Sequence, residues 1–242
     1  MNFIVDVGNT RVKFAVFDNN HLQWKTNFLL SDFESEFKAV KNKFPDVKSA
    51  IISSVGRLKK KYIDTLENDI RVIKLNSETK VPFQNNYRTP KTLGVDRIAL
   101  VTGSVLKFPN KNVLIIDAGT CITYDFINKN NIYLGGAISP GLRLRYQSLN
   151  DLTANLPLLE TKRPKKVIGN TTTSSIHSGV VLGTIYEIQG IIKVYSEKYS
   201  DLTVILTGGD AKMLSKQLKS SIFANSDFLL EGLNYILEFN SK

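Results

Sequence analysis

The sequence predicts an α/β protein built from two halves that share one order of elements, three strands followed by helices and further strands. Two turns of similar composition mark the repeat. They are Asp6-Val7-Gly8-Asn9-Thr10 and Asp117-Ala118-Gly119-Thr120, 111 positions apart (117 minus 6) in 242 residues. An apolar run precedes each turn and a strand-like run follows it, a pattern typical of two strands joined by a tight connection. One such turn is an ordinary hairpin, but two at the start of similar halves indicate an internal duplication.

The first half opens with three predicted strands and continues with helices and strands. Ser31-Asp32 is an expected N-cap for the first helix, which carries Phe33 and Phe37 on its apolar face. The polar stretch 76–93 contains two prolines and is predicted to be a loop, a kind of segment that often carries function. The predicted strands are 2–7, 11–17, 21–28, 47–55 and 71–75, and the predicted helices are 33–44, 58–68 and 95–106.

The second half repeats this opening. A helix is expected after Ser139-Pro140-Gly141, and a second proline-containing loop, which is basic, covers 156–169. A long helix is expected after Thr171-Thr172-Thr173, and Thr207-Gly208-Gly209-Asp210 is predicted to join a strand to a helix. The predicted strands are 112–117, 121–127, 132–138 and 202–206, and the last predicted helix is 229–239.

Composition and charge narrow the class of protein. The formal charge of +10 invites a nucleic-acid interpretation. However, the basic clusters 59–61 and 162–166 lack interleaved aromatic residues, and one cysteine with two histidines excludes zinc-finger spacing. Surface lysines that attract small anions are therefore favoured over a nucleic-acid partner. No apolar stretch approaches a membrane span or a signal peptide, and the lone Cys121, expected to be a small buried residue, fits a reducing compartment. We expect a soluble cytoplasmic protein without a membrane partner.

The first turn has the chemistry of a phosphate site. Gly8 lets the backbone approach a phosphate, and Asn9 and Thr10 supply donors. Lys13, on the following strand, would meet terminal phosphates, and Asp6 would position a hydrated Mg²⁺. Taken alone, the same residues also describe a hairpin with an aspartate at its turn.

The second turn follows the same logic. Thr120 and Thr123 would donate hydroxyl hydrogen bonds to an anion, and Asp117 is a candidate cation ligand. A polar hairpin is again the simple alternative. Because both alternatives would have to hold at matched places in two matching halves, a phosphate site is favoured.

A third motif, Gly94-Val95-Asp96-Arg97, opens a helix directly after the long loop. Asp96 would accept a hydroxyl proton, Arg97 would grip a substrate carboxylate, and Tyr87 on the loop would close over the same substrate. An aspartate beside an arginine at a helix N-terminus is equally consistent with charge capping of the helix.

In this order, these motifs resemble the type III pantothenate kinases, of the superfamily that includes acetate and sugar kinases, Hsp70 and actin. The resemblance covers nearly the whole chain and rests on Asp6-x-Gly8-Asn9-Thr10-x-x-Lys13, Tyr87, Gly94-Val95-Asp96-Arg97, Asp117-x-Gly119-Thr120-x-x-Thr123-x-Asp125, Gly135-Gly136-Ala137-Ile138-x-Pro140-Gly141, Thr172 and Thr207-Gly208-Gly209. It implies two duplicated ribonuclease-H-like domains, mixed sheets flanked by helices, over 1–111 and 112–242, with the active site in the cleft between them.

The resemblance also implies an activity and a site. The activity is ATP-dependent phosphorylation of the primary hydroxyl of pantothenate to 4'-phosphopantothenate, the first step of coenzyme A biosynthesis, by a homodimer with Mg²⁺ and K⁺ or NH₄⁺. Asp96 would be the catalytic base, and Asp117 would hold the monovalent cation. The residues implied for ATP are Asp6, Val7, Gly8, Asn9, Thr10, Arg11, Val12, Lys13 and Thr120. Those implied for pantothenate are Tyr87, Gly94, Val95, Asp96, Arg97 and Thr172.

Two alternatives stay open at the level of the sequence. One is a kinase of another small carboxylate-bearing alcohol on the same fold. The other is a nucleotide-binding regulator without catalysis. The presence of Asp96, Lys13 and Asp117 together favours an enzyme, because a binding module has little need of a base.

Overall fold

The structure, a computed structural model, describes residues 1–54, 58–218 and 222–241. The described strands are β1 (Asn2–Val7), β2 (Val12–Asp18), β3 (His21–Phe28), β4 (Ser49–Ser54), β5 (Arg71–Lys74), β6 (Gln84–Asn85), β7 (Asn112–Ala118), β8 (Cys121–Ile127), β9 (Ile132–Pro140), β10 (Leu202–Thr207) and β11 (Ile222–Ala224). The described helices are α1 (Phe33–Lys43), α2 (Lys60–Glu67), α3 (Val95–Lys107), α4 (Leu142–Asp151), α5 (Thr172–His177), α6 (Gly183–Lys198), α7 (Ala211–Ser215) and α8 (Phe228–Phe239). A π-helical turn, Ser178–Leu182, joins α5 to α6.

The described residues form two compact units. The first comprises Met1–Pro109, Asn131–Tyr133 and the chain from Asp227 onward, and the second comprises Asn110–Asn130 and Leu134–Ser226. The resemblance implies a boundary at 111/112, whereas here the last segment, from Asp227 onward, belongs to the first unit. The reason is that α8 packs on α3, β1 and β4 of the first unit.

The sheet of the first unit has the order β3-β2-β1-β4-β5. β1 pairs antiparallel with β2 and parallel with β4. Because side chains alternate along a strand, Phe3 and Val5 of β1 enter a core with α1 and α2, whereas Asp6 lies on the opposite face. A hydrogen bond of 2.8 Å from Asn2 Nδ2 to Asn234 Oδ1 places α8 on that opposite face.

The sheet of the second unit repeats this connectivity. Its strands follow the order β11-β10-β7-β8-β9, and β7 pairs antiparallel with β8 and parallel with β10. β7, β8 and β10 therefore correspond to β1, β2 and β4. The short β6 of the first unit pairs parallel with Ile132 and Tyr133 of β9, residues that the first unit also includes. Again the main core, with α4 to α7, lies on one face, which includes Ile116 and Ala118, and Asp117 lies on the other. The predicted duplication and α/β class are confirmed.

Most predicted elements are found, with a few differences. Neither β6 nor β11 was predicted, because each has only two or three described residues. β4 begins at Ser49 rather than at 47, and position 55 of the predicted strand lies outside the described residues. The Asp32 side chain makes no capping hydrogen bond to α1, because a 3₁₀ turn over Leu30–Asp32 leads directly into that helix.

One expectation about a single residue was wrong. Cys121 is exposed, because it is the first residue of β8 directly after the turn. His177 is buried, and its Nδ1 lies 2.8 Å from the Tyr146 hydroxyl, which agrees with a structural role. Within the described part of the chain, no helix is long and apolar enough to cross a bilayer.

Candidate active site

The first turn is tight and presents its polar side chains to solvent. Gly8 N–H donates to the carbonyl of Arg11 at 3.0 Å, which closes the connection between β1 and β2. Asn9, Thr10 and Arg11 are exposed, whereas Val7 and Val12 on either side are buried. The strands thus anchor the turn in the core and leave its donors available to a ligand.

Asp6 is a buried carboxylate with a cation on the adjacent strand. Only 5% of Asp6 is exposed, and Lys13, its partner on β2, brings Nζ to 3.7 Å from Oδ2. Ser53 is its partner on β4. Burial raises the pKa of Asp6; Lys13 opposes that rise and the Asp96 carboxylate adds to it. Asp96 therefore lies within electrostatic reach of Asp6, although the two are 90 positions apart (96 minus 6).

Asp96 is held at the N-terminus of α3 by a local contact. Its Oδ1 accepts a hydrogen bond of 2.8 Å from the backbone N–H of Arg97, and the positive end of the helix dipole favours the carboxylate there. Gly94, the N-cap, makes room for it, because a Cβ at position 94 would lie 2.4 Å from Asp96 Oδ1. One oxygen of the carboxylate thus accepts from the helix backbone, which fixes the orientation of the group.

Arg97 and Tyr87 lie next to each other. The guanidinium carbon of Arg97 lies 5.6 Å from the centre of the Tyr87 ring, a cation–π distance. Tyr87 in turn stacks on Tyr133, with ring centres 6.2 Å apart and planes inclined by 26°. Arg97 is only 5% exposed. Sequence reasoning missed Tyr133, because its pattern is that of an ordinary strand residue.

The second turn is enclosed by glycines from distant parts of the chain. Gly119 N–H donates to the Cys121 carbonyl at 2.9 Å. A Cβ at Gly141 would lie 2.1 Å from the Gly119 carbonyl oxygen. A Cβ at Gly208, which has φ of +94°, would lie 2.4 Å from Asp117 Oδ1. Gly141 and Gly208, each part of a motif of its own, therefore both lie against this turn.

Asp117 lies between two threonines of neighbouring strands. Thr123 of β8 and Thr207 of β10 are its direct partners in the sheet, so the three side chains share one face. The Thr123 hydroxyl oxygen is buried and has no hydrogen-bond partner among the described residues. A carboxylate beside an unsatisfied hydroxyl oxygen is a donor set that suits a hard cation.

Thr172 lies in the second unit, whereas Tyr87 and the 94–97 motif lie in the first. It is the first residue of α5 and is exposed, and Thr171 before it caps the helix through a reciprocal pair with Ser174. Thr172 lines a pocket of about 500 Å³ together with Arg145 and Ser148 of α4.

Arg145, which lines this pocket, forms an ion pair with Glu187. Tyr124 and Ser139 also donate to Glu187, at 2.8 and 2.6 Å. Burial of Glu187 acts to raise the pKa of its carboxyl, but the hydrogen bonds from Ser139, Arg145 and Tyr124 hold that pKa below its ordinary value. Arg145 was not singled out from the sequence, because a lone arginine on a predicted helix carries no signal of this partner.

No cluster of three or more His, Cys, Asp or Glu side chains suitable for a metal occurs in the described ranges. An enzyme that binds Mg²⁺ with its nucleotide does not require one. Mg²⁺ in such sites keeps several waters and is held by one or two carboxylates together with substrate phosphates.

Comparison with known proteins connects this arrangement to a family. The model of the type III pantothenate kinase family matches residues 2–194. A type III pantothenate kinase from Christiangramia forsetii is 53% identical over 240 residues, which cover 99% of each chain. Another from Flavobacterium psychrophilum is 48% identical over 239 residues, again 99% of each.

Solved structures agree on the fold. A Campylobacter jejuni protein, whose name assigns it to the Baf family of transcriptional activators, superposes with a TM-score of 0.68 at 22% identity, covering 99% of this chain and 98% of that one. A glucokinase from an Antarctic psychrotroph superposes with a TM-score of 0.53 at 11% identity, covering 98% of both.

The fold thus defines a class, the α/β proteins that share the fold of the glucokinase. Within that class, the extent and identity of the sequence matches are decisive. The chain belongs to the type III pantothenate kinase family and is a kinase.

Proposed function

We propose that the protein transfers the terminal phosphoryl group of ATP to the primary hydroxyl of pantothenate, giving 4'-phosphopantothenate in the first step of coenzyme A biosynthesis. One observation carries the assignment of roles. The Asp96 carboxylate is oriented by the start of α3 within electrostatic reach of Asp6, which is paired with Lys13. A substrate-facing carboxylate next to a phosphate-binding pair is the arrangement that phosphoryl transfer to an alcohol requires.

ATP is assigned to the first turn and to Thr120. The exposed donors of Asn9, Thr10 and Arg11 face the phosphates, with Gly8 allowing close approach and Val7 and Val12 anchoring the turn. Lys13 is 41% exposed at its side chain, so its ammonium reaches a ligand while it remains near Asp6. Asp6 would hold Mg²⁺ through water, and that ion would offset charge on the phosphates.

Pantothenate is assigned to the residues around α3 and to Thr172. Its carboxylate suits Arg97, whose guanidinium the Tyr87 ring holds in place. Gly94 and Val95 bring backbone close to the substrate at the start of α3, and Thr172 offers an exposed hydroxyl.

Asp96 acts mainly by position. The transition state of phosphoryl transfer is loose, so the nucleophilic hydroxyl needs orientation first and loses its proton late. One carboxylate oxygen accepts from the Arg97 N–H, and the other is assigned to the substrate hydroxyl. The carboxylate takes the proton as the new O–P bond forms.

Asp117 is assigned to a monovalent cation, K⁺ or NH₄⁺. The residues present fit such an ion, because a carboxylate lies beside the Thr123 hydroxyl, which has no hydrogen-bond partner among the described residues. The ion would supply positive charge next to the second turn, where Thr120 is assigned to ATP.

We also propose that the protein acts as a homodimer in the cytoplasm. Leu134 and Val194 of the second unit are 48% and 64% exposed and line one groove with Phe126 and Tyr199, an apolar surface that association would cover. A lone cysteine, which cannot form an intrachain disulfide, suits the reducing cytoplasm. Light scattering should give twice the chain mass, and a monomer at all concentrations would contradict the dimer.

The test of function is ADP release that depends on both ATP and pantothenate, measured in K⁺, NH₄⁺ and Na⁺ buffers. We expect turnover that requires pantothenate and falls sharply in Na⁺. Turnover equal in all buffers would retain the reaction and contradict the cation at Asp117. No pantothenate-dependent turnover in any buffer would contradict the proposed substrate, and other carboxylate-bearing alcohols would then be assayed.

A further inference from the structure

The two repeats carry the same carboxylate with different neighbours. Asp6 in the first unit and Asp117 in the second lie near the ends of corresponding strands. The direct partner of Asp6 on the antiparallel strand is Lys13, and the direct partner of Asp117 is Thr123. Because the two sheets share strand order and pairing, Lys13 and Thr123 occupy equivalent positions, although their turns differ in length by one residue.

In the first repeat, the cation beside the carboxylate is part of the chain. Lys13 Nζ lies 3.7 Å from Asp6 Oδ2. Its charge offsets the negative charge of this carboxylate, which is only 5% exposed. The Lys13 ammonium is a compact monovalent cation on a flexible stem, so it can serve this carboxylate and still approach a ligand.

In the second repeat, the equivalent side chain is short and uncharged. The Thr123 hydroxyl oxygen is buried and has no hydrogen-bond partner among the described residues. Native proteins seldom leave such an atom unsatisfied, and a bound ion is one of the usual reasons when no protein group satisfies it. Direct cross-strand partners have Cβ atoms about 4.5–5.5 Å apart, so this hydroxyl neighbours the Asp117 carboxylate.

The chemistry of Asp117 and its two sheet partners, Thr123 and Thr207, points to an alkali ion rather than to an anion. From the sequence alone, Thr123 was expected to donate to a phosphate, but its sheet partner is a carboxylate, and a hydroxyl oxygen also offers lone pairs to a cation. On the other side of Asp117 stands Thr207, which is 2% exposed. Protein oxygens replace the hydration shell of a bound K⁺, and hydroxyl and carboxylate groups offer such oxygens.

We propose that Thr123 is a ligand of the monovalent cation assigned to Asp117, and that this ion takes the place that the Lys13 ammonium holds in the first repeat. The inference rests on the proposed cation at Asp117. It adds Thr123 as a second ligand, and Thr123 leaves room for an ion because it lacks the positive charge that Lys13 carries in the first repeat. It also explains why the ion is monovalent, since the equivalent site in the first repeat carries a single positive charge.

The experiment compares two substitutions at one position. Thr123→Val keeps the shape of the side chain and removes its oxygen, and Thr123→Lys supplies the positive charge covalently. Thr203→Val and Thr203→Lys are matched controls, because Thr203 lies on the same face of β10, four residues from Thr207. Each protein is assayed for the rise in thermal midpoint that K⁺ causes at constant ionic strength, without nucleotide, and for the K⁺ concentration that half-saturates turnover.

In Thr123→Val, we expect the half-saturating K⁺ concentration to rise at least about tenfold, the loss expected for one oxygen ligand of a charged group. The midpoint should no longer respond to K⁺ concentrations that stabilise the wild type. Thr123→Lys should turn over in Na⁺ at least about tenfold faster than the wild type does in Na⁺, and should not respond to K⁺. The Thr203 variants should behave as the wild type.

A Thr123→Val protein with the wild-type response to K⁺ in both assays would overturn the inference. So would a Thr123→Lys protein that has the wild-type midpoint but still requires K⁺, or a wild type that K⁺ neither stabilises nor activates. If Thr123→Lys does not fold, Thr123→Val decides alone. Stabilisation by K⁺ that is lost in Thr123→Val, in a protein that does not phosphorylate pantothenate, would support the cation ligand and contradict the proposed reaction.

Discussion

Asp6 combines burial with two charged neighbours of opposite sign. Lys13 stabilises its ionised form, whereas burial and the Asp96 carboxylate stabilise the protonated form and prevail, so the pKa lies above its ordinary value of 3.8. In the unfolded chain this shift disappears. The contribution of Asp6 to stability is therefore fully present below that ordinary value and is lost as pH rises through the folded pKa.

The raised pKa of Asp6 predicts that Asp6→Asn raises the thermal midpoint at pH 7, because the substitution removes a buried charge. Lys13, with 41% of its side chain exposed, keeps its ammonium solvated without the partner. The gain should shrink as pH is lowered from 7 through the raised pKa of Asp6 to its ordinary value of 3.8, because the carboxyl itself becomes neutral over that range. Thermal unfolding between these pH values checks it, with the exposed Asp64→Asn as control. A lower midpoint for Asp6→Asn at pH 7 would contradict the prediction.

Asp96 is expected to matter for turnover and not for nucleotide affinity. Asp96→Asn keeps the shape and the hydrogen bond from Arg97 N–H but loses the ability to take a proton. We expect turnover to fall at least about a hundredfold, a typical contribution of a positioned base. ATP affinity, measured by calorimetry, should change little, and Asp64→Asn should keep wild-type turnover. An Asp96→Asn enzyme with near wild-type turnover would remove the role assigned to Asp96.

At the scale of elements, the close packing of α8 on α3 stabilises the first unit. A Cβ at Gly232 of α8 would lie 2.0 Å from the Ala99 carbonyl oxygen of α3, and a Cβ at Gly103 of α3 would lie 3.4 Å from Cε1 of Phe228. At position 232, the backbone of α8 therefore approaches that of α3 to a distance that only glycine permits. Sequence patterns predicted both helices but not this contact, because the two glycines look like ordinary interruptions of a helical pattern.

This packing predicts opposite effects for two chemically identical substitutions. Gly232→Ala should lower the free energy of unfolding by about 1–3 kcal/mol, the usual cost of overpacking. Gly190→Ala should raise it by about 0.5–1 kcal/mol, because position 190 of α6 is exposed and a Cβ there would meet no neighbouring group within 4 Å. Urea unfolding measures both. Equal effects of the two substitutions would mean that α8 does not pack closely on α3.

At the scale of the whole molecule, we attribute the net charge of +10 to the attraction of anionic substrates rather than of nucleic acid. We expect binding to a random-sequence DNA duplex to be weak, with a Kd above about 1 μM at about 0.15 M salt, and to decrease further as salt rises. Fluorescence anisotropy across a KCl series measures it. Tight binding that persists at high salt and depends on sequence would favour a regulator over the kinase without nucleic-acid partners.

The sequence by itself determined the strands, the helices, the two turns and the order of the motifs. These features depend on the alternation of apolar and polar residues in strands, on helical periodicity and on the residues of turns. Each of these patterns extends over only a few neighbouring residues, so the sequence shows it directly. It also determined the family, because the ordered motifs extend along nearly the whole chain.

Only the tertiary structure decided which distant residues meet. It placed Asp96 within electrostatic reach of Asp6, stacked Tyr133 on Tyr87, and set Gly208 against Asp117. It also decided that Thr123 is the counterpart of Lys13, since that equivalence depends on strand register. Register and helix packing join positions that lie tens of residues apart, and no local pattern encodes them.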